Sequence, residues 1–320
     1  MLAGTAAAGA VGLAGFPARA EVNWKKYSGT SLEVSLAKGP RGDNLQKYIK
    51  EFTELTGVKV ESEQVPEQQQ RQKCVIELSS GKPSFDVVHL SYHVQKRQFE
   101  KAGWLADMSG FLKDPSLTLP DLVESDFSAA GLQYARNDKG QMLSLPWSVD
   151  YFILYYNKDM FRSAGLDPSQ PPKTWAELGT MAKRLRAAGA MCGVTTSWPS
   201  WINVENFSAF HNLPIATRSN GFAGLDAQLV FNNPIVVRHI AQLAQWQTDK
   251  SFDYSGRGQA AEPRFQKGEC GIFIGSSGTR ADIKANSKFE VGYGMMPYEA
   301  DVQGAPQNSI IGGATLWVLR

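Results

Sequence analysis

From residue 31 the chain alternates short runs with a two-residue apolar period and longer runs in which apolar side chains return every three or four positions. Residues 31–37, SLEVSLA, read as a strand. Over 44–56, Leu45, Tyr48, Ile49, Phe52 and Leu55 fall on one helical face, and Gly57 ends the pattern. A strand at 58–65, a Gln-rich helix and a strand at 85–91 follow. This βαβαβ order predicts a mostly parallel sheet. Gly103, Trp104 and Leu105 close a further helix and lead to a polar loop over 114–120.

The pattern restarts after residue 145. The stretch 145–161, LPWSVDYFILYYNKDMF, holds a strand rich in aromatic and β-branched residues and carries the chain towards a second sheet. Thr174 and Glu177 form a capping box for a helix that runs through Met181 and Leu185 to Gly189. Strands are expected at 191–196 and 270–275. A chain of 320 residues exceeds what one ordinary core organises, so two α/β lobes are expected.

Charge adds little: 33 basic against 31 acidic residues leave +2, with no long run of either sign, so nothing resembles a nucleic-acid or anionic-membrane surface. Residues 2–16 are uncharged and rich in Leu, Ala, Gly and Val, and Ala18-Arg19-Ala20 has the small-x-small form of a signal-peptidase site. Cleavage after Ala20 and export are therefore expected. No basic residue precedes the run, which leaves open an upstream start and the choice between Sec and Tat export. No later stretch approaches the ~20 apolar residues of a membrane span. Of the three cysteines, Cys74 falls in a helical pattern and reads as a buried thiol, while Cys192 and Cys270 can bridge if their two strands are neighbours.

Catalytic patterns are weak. His89 and His93 have i,i+4 spacing but lack the glutamate of HExxH, and GSSG at 275–278 is not a nucleophile elbow. His211 and His239 have no acid partner at a telling spacing. Arg41-Gly42-Asp43 opens a helix and reads as a polar cap. No metal, cofactor or covalent chemistry is expected.

The binding pattern is stronger. Trp198 and Trp201 flank a polar cluster just after the strand 191–196, where an open α/β sheet presents its ligand site; flat apolar faces beside hydrogen-bonding groups suit a polyol or sugar. Core packing is the alternative for both rings. Ser276, Ser277 and Gly278 join a strand to a helix start, which makes either an anion site or a plain N-cap. Gly312 and Gly313 allow a close backbone approach or a bulge.

Taken together with GYGMMPYEAD (292–301) and GAPQNSIIGGATLWV (304–318), these segments resemble the periplasmic sn-glycerol 3-phosphate-binding proteins of ATP-binding-cassette (ABC) importers, closely over 154–318. Before that the resemblance fades to the wider extracellular sugar-binding family that includes maltose-binding protein. It implies a two-lobed periplasmic-binding-protein fold: lobe 1 at 21–148, lobe 2 at 149–312, hinge crossings at 147–156 and 304–318, and a return towards lobe 1 at 313–320, with the C-terminal part truncated. It matches Trp198, Trp201, Ser276 and Gly313 to ligand contacts.

In lobe 1 this chain departs from the family's tyrosine, glutamate and serine, placing a glutamine within 68–70, then Tyr92 and Asp150. An aspartate facing phosphate repels it unless a cation intervenes, whereas one facing hydroxyls is a good acceptor. The family's later tyrosine and phosphate-binding arginine have no counterpart before Arg320. The implied role is a monomeric, non-enzymatic periplasmic receptor. It would deliver sn-glycerol 3-phosphate or a glycerophosphodiester, or alternatively a neutral sugar or polyol, to the transmembrane subunits of an ABC permease. A cleft glycosidase or phosphodiesterase and a surface protein without ligand are the competing classes.

Overall fold

In the computed structural model, which describes residues 22–119 and 121–320, the expected strands form two separate sheets. The expected leader, 1–20, lies outside the described residues. The first sheet has the order β2-β1-β3-β9-β4, made of β1 (Ser31–Ala37), β2 (Lys59–Val65), β3 (Val87–Ser91), β4 (Ser144–Asp150) and β9 (Gly312–Val318). The second has the order β6-β7-β5-β8, made of β5 (Phe152–Asn157), β6 (Cys192–Thr196), β7 (Cys270–Ser276) and β8 (Val291–Gly294). The aromatic run read as one strand is thus two, β4 and β5, in different sheets with Tyr151 between them.

The sheets are mixed rather than mostly parallel. The ladders β1/β2, β1/β3 and β6/β7 are parallel, as the βαβ order requires. However, β9 runs antiparallel to β3 and β4, and β5 antiparallel to β7 and β8. The antiparallel strands are those that carry the chain between the two sheets. They enter each sheet from the cleft end, against the direction of its βαβ strands.

Helices α1 (Pro40–Thr56), α2 (Glu67–Ser80) and α3 (Tyr92–Lys101) flank the first sheet. Cys74 and Leu78 of α2 and Phe99 of α3 pack with Val88, Leu90 and Trp317 in one core. The apolar face expected on α1 forms but stays largely open, with Tyr48 53%, Phe52 40% and Leu55 46% exposed. In the second sheet both faces are covered. Leu154, Ile272 and Ile274 pack on the helices Trp175–Ala187 and Pro234–Asp249, and Tyr155 and Phe273 pack on Phe265 and Ile283. Burial on both faces is why the centre of β7, Gly271-Ile272-Phe273-Ile274, is an unbroken apolar run rather than an alternating one. The capping box forms, with Thr174 Oγ1 accepting from Glu177 N–H at 3.1 Å.

Cys192 and Cys270 are register partners at the amino ends of β6 and β7, and they are bridged, Cα–Cα 4.6 Å. Cys74 is fully buried, and burial pushes its thiol up to about 12. Thiol titration of the unfolded, unreduced protein is expected to find one thiol of the three cysteines. Reduction is expected to lower the thermal midpoint, because opening a 78-residue separation releases the chain entropy of a long loop, roughly 3–5 kcal/mol. Three reactive thiols without reductant would reject the bridge.

Glu262 is buried beside Phe265, and burial, reinforced by a hydrogen bond to Asp282, raises its carboxyl to about 8. A carboxyl raised on folding favours the folded state below its unfolded value near 4.5, and that advantage is lost as pH climbs to about 8. Glu262→Gln is therefore expected to raise the melting midpoint by a few degrees at pH 9 and to leave it unchanged near pH 4. Equal shifts at both pH values would show that the ionised carboxylate carries no cost.

Candidate functional site

The carboxyl ends of β1, β2 and β3 in one sheet face those of β6 and β7 in the other, the position at which open α/β sheets bind ligands. Between them lie two adjoining cavities of about 500 and about 380 Å3. Both are lined by Arg41, Glu67, Gln68, Ser91, Trp198 and Arg257. The smaller one also meets Arg71, Trp201, Glu205, Ser276 and Gly313. Four of the six predicted contacts, Trp198, Trp201, Ser276 and Gly313, therefore converge on one cavity.

Trp198 follows the end of β6 with φ at +42°, a conformation costly for a bulky residue. Its N–H donates to Gly258 C=O at 2.8 Å, and its ring lies 3.7 Å from where a Cβ on Gly258 would sit. The strained turn thus keeps the indole in the cleft and pins the loop bearing Arg257. Residues Trp201–Asn206 wind as a π-helix, a local form associated with functional sites, and bring both Trp201 and Glu205 to the cavity. Trp201 also stands edge-on to Phe152, centroids 4.0 Å apart, so it serves core and cleft together.

Gly312 and Gly313 have different reasons. A Cβ on Gly312 would collide with the Trp201 ring and the Asp150 carboxylate. Gly313 has φ +119° beside the register shift at Pro146/Ser148, and a Cβ there would strike the Ser148 carbonyl. Ser276 likewise fits both earlier readings. Its hydroxyl accepts from Gly278 N–H at 3.0 Å as an N-cap, and it donates to Asp150 Oδ2 in a short bond. The anion at this helical turn is thus the protein's own carboxylate.

Asp150 closes β4 at 2% exposure. Arg41 approaches its Oδ2 at 3.7 Å, whereas Oδ1 is buried without a hydrogen-bond partner. Arg41 belongs to the Arg41-Gly42-Asp43 triplet in the first turn of α1. Gly42 is buried against the Ala37 carbonyl, Asp43 accepts from Gln64, and the guanidinium turns into the cleft. At the start of α2, Glu67 accepts from Arg71 and from Ser91. Burial works to raise the Glu67 carboxyl, but Arg71, Ser91 and Arg41 outweigh it and hold it low. Burial raises Glu205, with Arg71 only partly opposing.

Among the glutamines, Gln68 lines both cavities, Gln69 lines the larger, and Gln70 turns under the sheet to donate to Ser35 at 3.1 Å. Tyr92 opens α3, but its side chain lies outside the described residues. His89 lines the larger cavity at 1% exposure with neither ring nitrogen hydrogen-bonded, and burial together with Arg41 lowers it to about 4. His211 and His239 serve the core. His211 bonds Phe207 C=O at 2.6 Å and accepts from Glu299 N–H at 2.8 Å, and His239 stacks on Phe207 at 4.0 Å.

Sequence reasoning missed the charged residues Arg41, Glu67, Arg71, Glu205 and Arg257. For two of them a signal was present: Arg41 follows β1 through Gly39-Pro40, and Glu67 follows β2 through Pro66, both strand-to-helix turns at carboxyl ends. The set is suited to binding: flat aromatic faces, hydroxyl and backbone donors, and guanidinium groups for an anion.

Residues 37–320 match the family of bacterial extracellular solute-binding proteins. The sn-glycerol-3-phosphate-binding periplasmic protein of Salmonella typhimurium is 49% identical over 198 residues, which are 62% of this chain and 45% of that protein. Its namesake from Yersinia pestis is 49% identical over 200 residues, 62% and 46% of the two chains. The chain thus spans a little under half the length of these relatives. Among solved structures, maltose-bound T. maritima MalE3 superposes with TM-score 0.75 at 18% identity, covering 91% of this chain and 72% of that one. A D-mannitol-bound solute-binding protein from Agrobacterium vitis gives TM-score 0.75 at 18% identity, covering 91% and 68%. A ribitol complex from Agrobacterium radiobacter gives 0.73 at 20%, covering 91% and 72%.

Proposed function

Because the chain belongs to the bacterial extracellular solute-binding protein family, we propose that it is the receptor of an ABC importer, closing around a polyol phosphate and delivering it to the transmembrane permease. The observation that carries this reading is one cavity with the indoles of Trp198 and Trp201 on its second-sheet side and the guanidiniums of Arg41 and Arg71 on its first-sheet side. The carbon skeleton of a glycerol phosphate lies on the rings, and its charge meets the arginines. Nearly half-identical relatives named for sn-glycerol 3-phosphate support that ligand class.

In this reading residues 1–20 are an export signal, the mature protein is a periplasmic monomer, and lobes 21–148 and 149–312 close over the ligand, with 313–320 returning to the first. Ligand that touches both lobes stabilises the closed form, which is what a permease can recognise. The receptor carries out no reaction on its ligand.

A second reading, a neutral polyol or sugar, is favoured by one observation: Asp150, which lines neither cavity but stands behind Ser276 of the smaller one, has Oδ1 buried without a partner, an acceptor suited to a hydroxyl that reaches it. Structural neighbours carrying mannitol and ribitol fit it. Calorimetric titration with sn-glycerol 3-phosphate, glycerophosphocholine, D-mannitol and ribitol separates the two. Heat with the phosphates alone supports the first, heat with the polyols alone the second, and no heat with any of the four defeats both.

A further inference from the structure

The charged groups around the cleft pair off unevenly. Arg71 bonds Glu67, and Arg41 stands at 3.7 Å from Asp150. Arg257 lines both cavities, is exposed, and makes no ion pair among the described residues. It comes from the second-sheet side, whereas Arg41, Arg71 and Lys38 come from the first. Glu205 is the remaining carboxyl facing this cavity, and its burial disfavours its charge. The four basic side chains at the cleft, Lys38, Arg41, Arg71 and Arg257, outnumber the carboxyls Glu67, Glu205 and Asp150 beside them, and they stand on both of its sides.

The position of Arg257 is built. Trp198 N–H holds Gly258 C=O at 2.8 Å and the indole packs over the same glycine, so the strained tryptophan turn fixes the backbone from which Arg257 reaches both cavities. Like charges on the two sides oppose closure until an anion lies between them. We infer that Arg257 is the anion anchor of the second-sheet side, gripping the ligand phosphate across the cleft from Arg41 so that closure depends on the ligand's charge. The inference rests on the polyol-phosphate reading and adds the residue that would select for it. A guanidinium offers two parallel N–H donors to phosphate oxygens, which an amide or an ammonium does not reproduce.

The test is calorimetry of wild type, Arg257→Gln and Arg257→Lys with sn-glycerol 3-phosphate at low and high salt, with melting curves of each unliganded protein. Arg257→Gln is expected to bind about tenfold to a hundredfold more weakly, with a shallower salt dependence and an unchanged melting midpoint. Arg257→Lys, which keeps the charge but not the paired donors, is expected to keep the wild-type salt dependence and to recover only part of the affinity. If Arg257→Gln binds as wild type, or loses affinity with its salt dependence intact, the anchor is wrong while the receptor reading stands. If the wild type binds no sn-glycerol 3-phosphate, the receptor reading fails for phosphates and the anchor with it.

Discussion

Trp198→Ala is expected to weaken ligand binding about tenfold to a hundredfold while moving the thermal midpoint little. Its ring is partly exposed in the cleft, where it packs over Gly258, so truncation removes contact area from the ligand more than from the core. The backbone strain at φ +42° remains with alanine, so no compensating gain in stability is expected. Trp201→Ala should behave differently. That ring meets Phe152 at 4.0 Å and packs on the core of the second sheet, so its loss should cost both affinity and stability. Replacing a core-packed tryptophan by alanine removes on the order of 3 kcal/mol, about 6–12 °C of melting midpoint. Calorimetry and melting curves on the two variants give a 2 × 2 outcome. Wild-type affinity in both variants would remove the tryptophans from the site.

The second large effect is expected at Asp150, and its sign depends on the ligand. Asp150→Ser removes a buried carboxylate that occupies the helical turn at Ser276 and engages Arg41. For a phosphate ligand the substitution frees Arg41 and the Gly278 end of the turn, so sn-glycerol 3-phosphate should bind about tenfold more tightly. For a neutral polyol it deletes the acceptor Oδ1, and loss of a charge-assisted hydrogen bond costs roughly 1.5–3 kcal/mol, about tenfold to a hundredfold in affinity. Parallel titrations with sn-glycerol 3-phosphate and D-mannitol should therefore move in opposite directions. Unchanged affinity for both would place Asp150 outside the ligand's reach, in a purely structural link between the sheets.

The alternation of two-residue and 3.6-residue apolar periods was enough to place β1, α1, β2, α2 and β3 within a few residues, because local periodicity reflects which face each segment buries. It also identified the capping box at Thr174 and the buried thiol of Cys74, both local in origin. The indole pair and Ser276 were legible as well, since aromatic residues and small hydroxyls just past a strand stand out against the background. Pairing direction was not legible. Nothing within β5 or β9 shows that each will meet neighbours running the other way, because that follows from strands distant in sequence. For the same reason the bridge between Cys192 and Cys270 was conditional on strand order until β6 and β7 stood side by side. The charged wall of the cleft was the largest omission. Arg41 looked like part of a helix cap, and Arg257 like one basic residue in a loop, because a charge acquires meaning only from what faces it. Asp150 shows the point most directly. Read alone it repels phosphate, but in the fold it lies between Ser276 and Arg41, and the folded neighbours decide whether its charge is exposed, shared or offset.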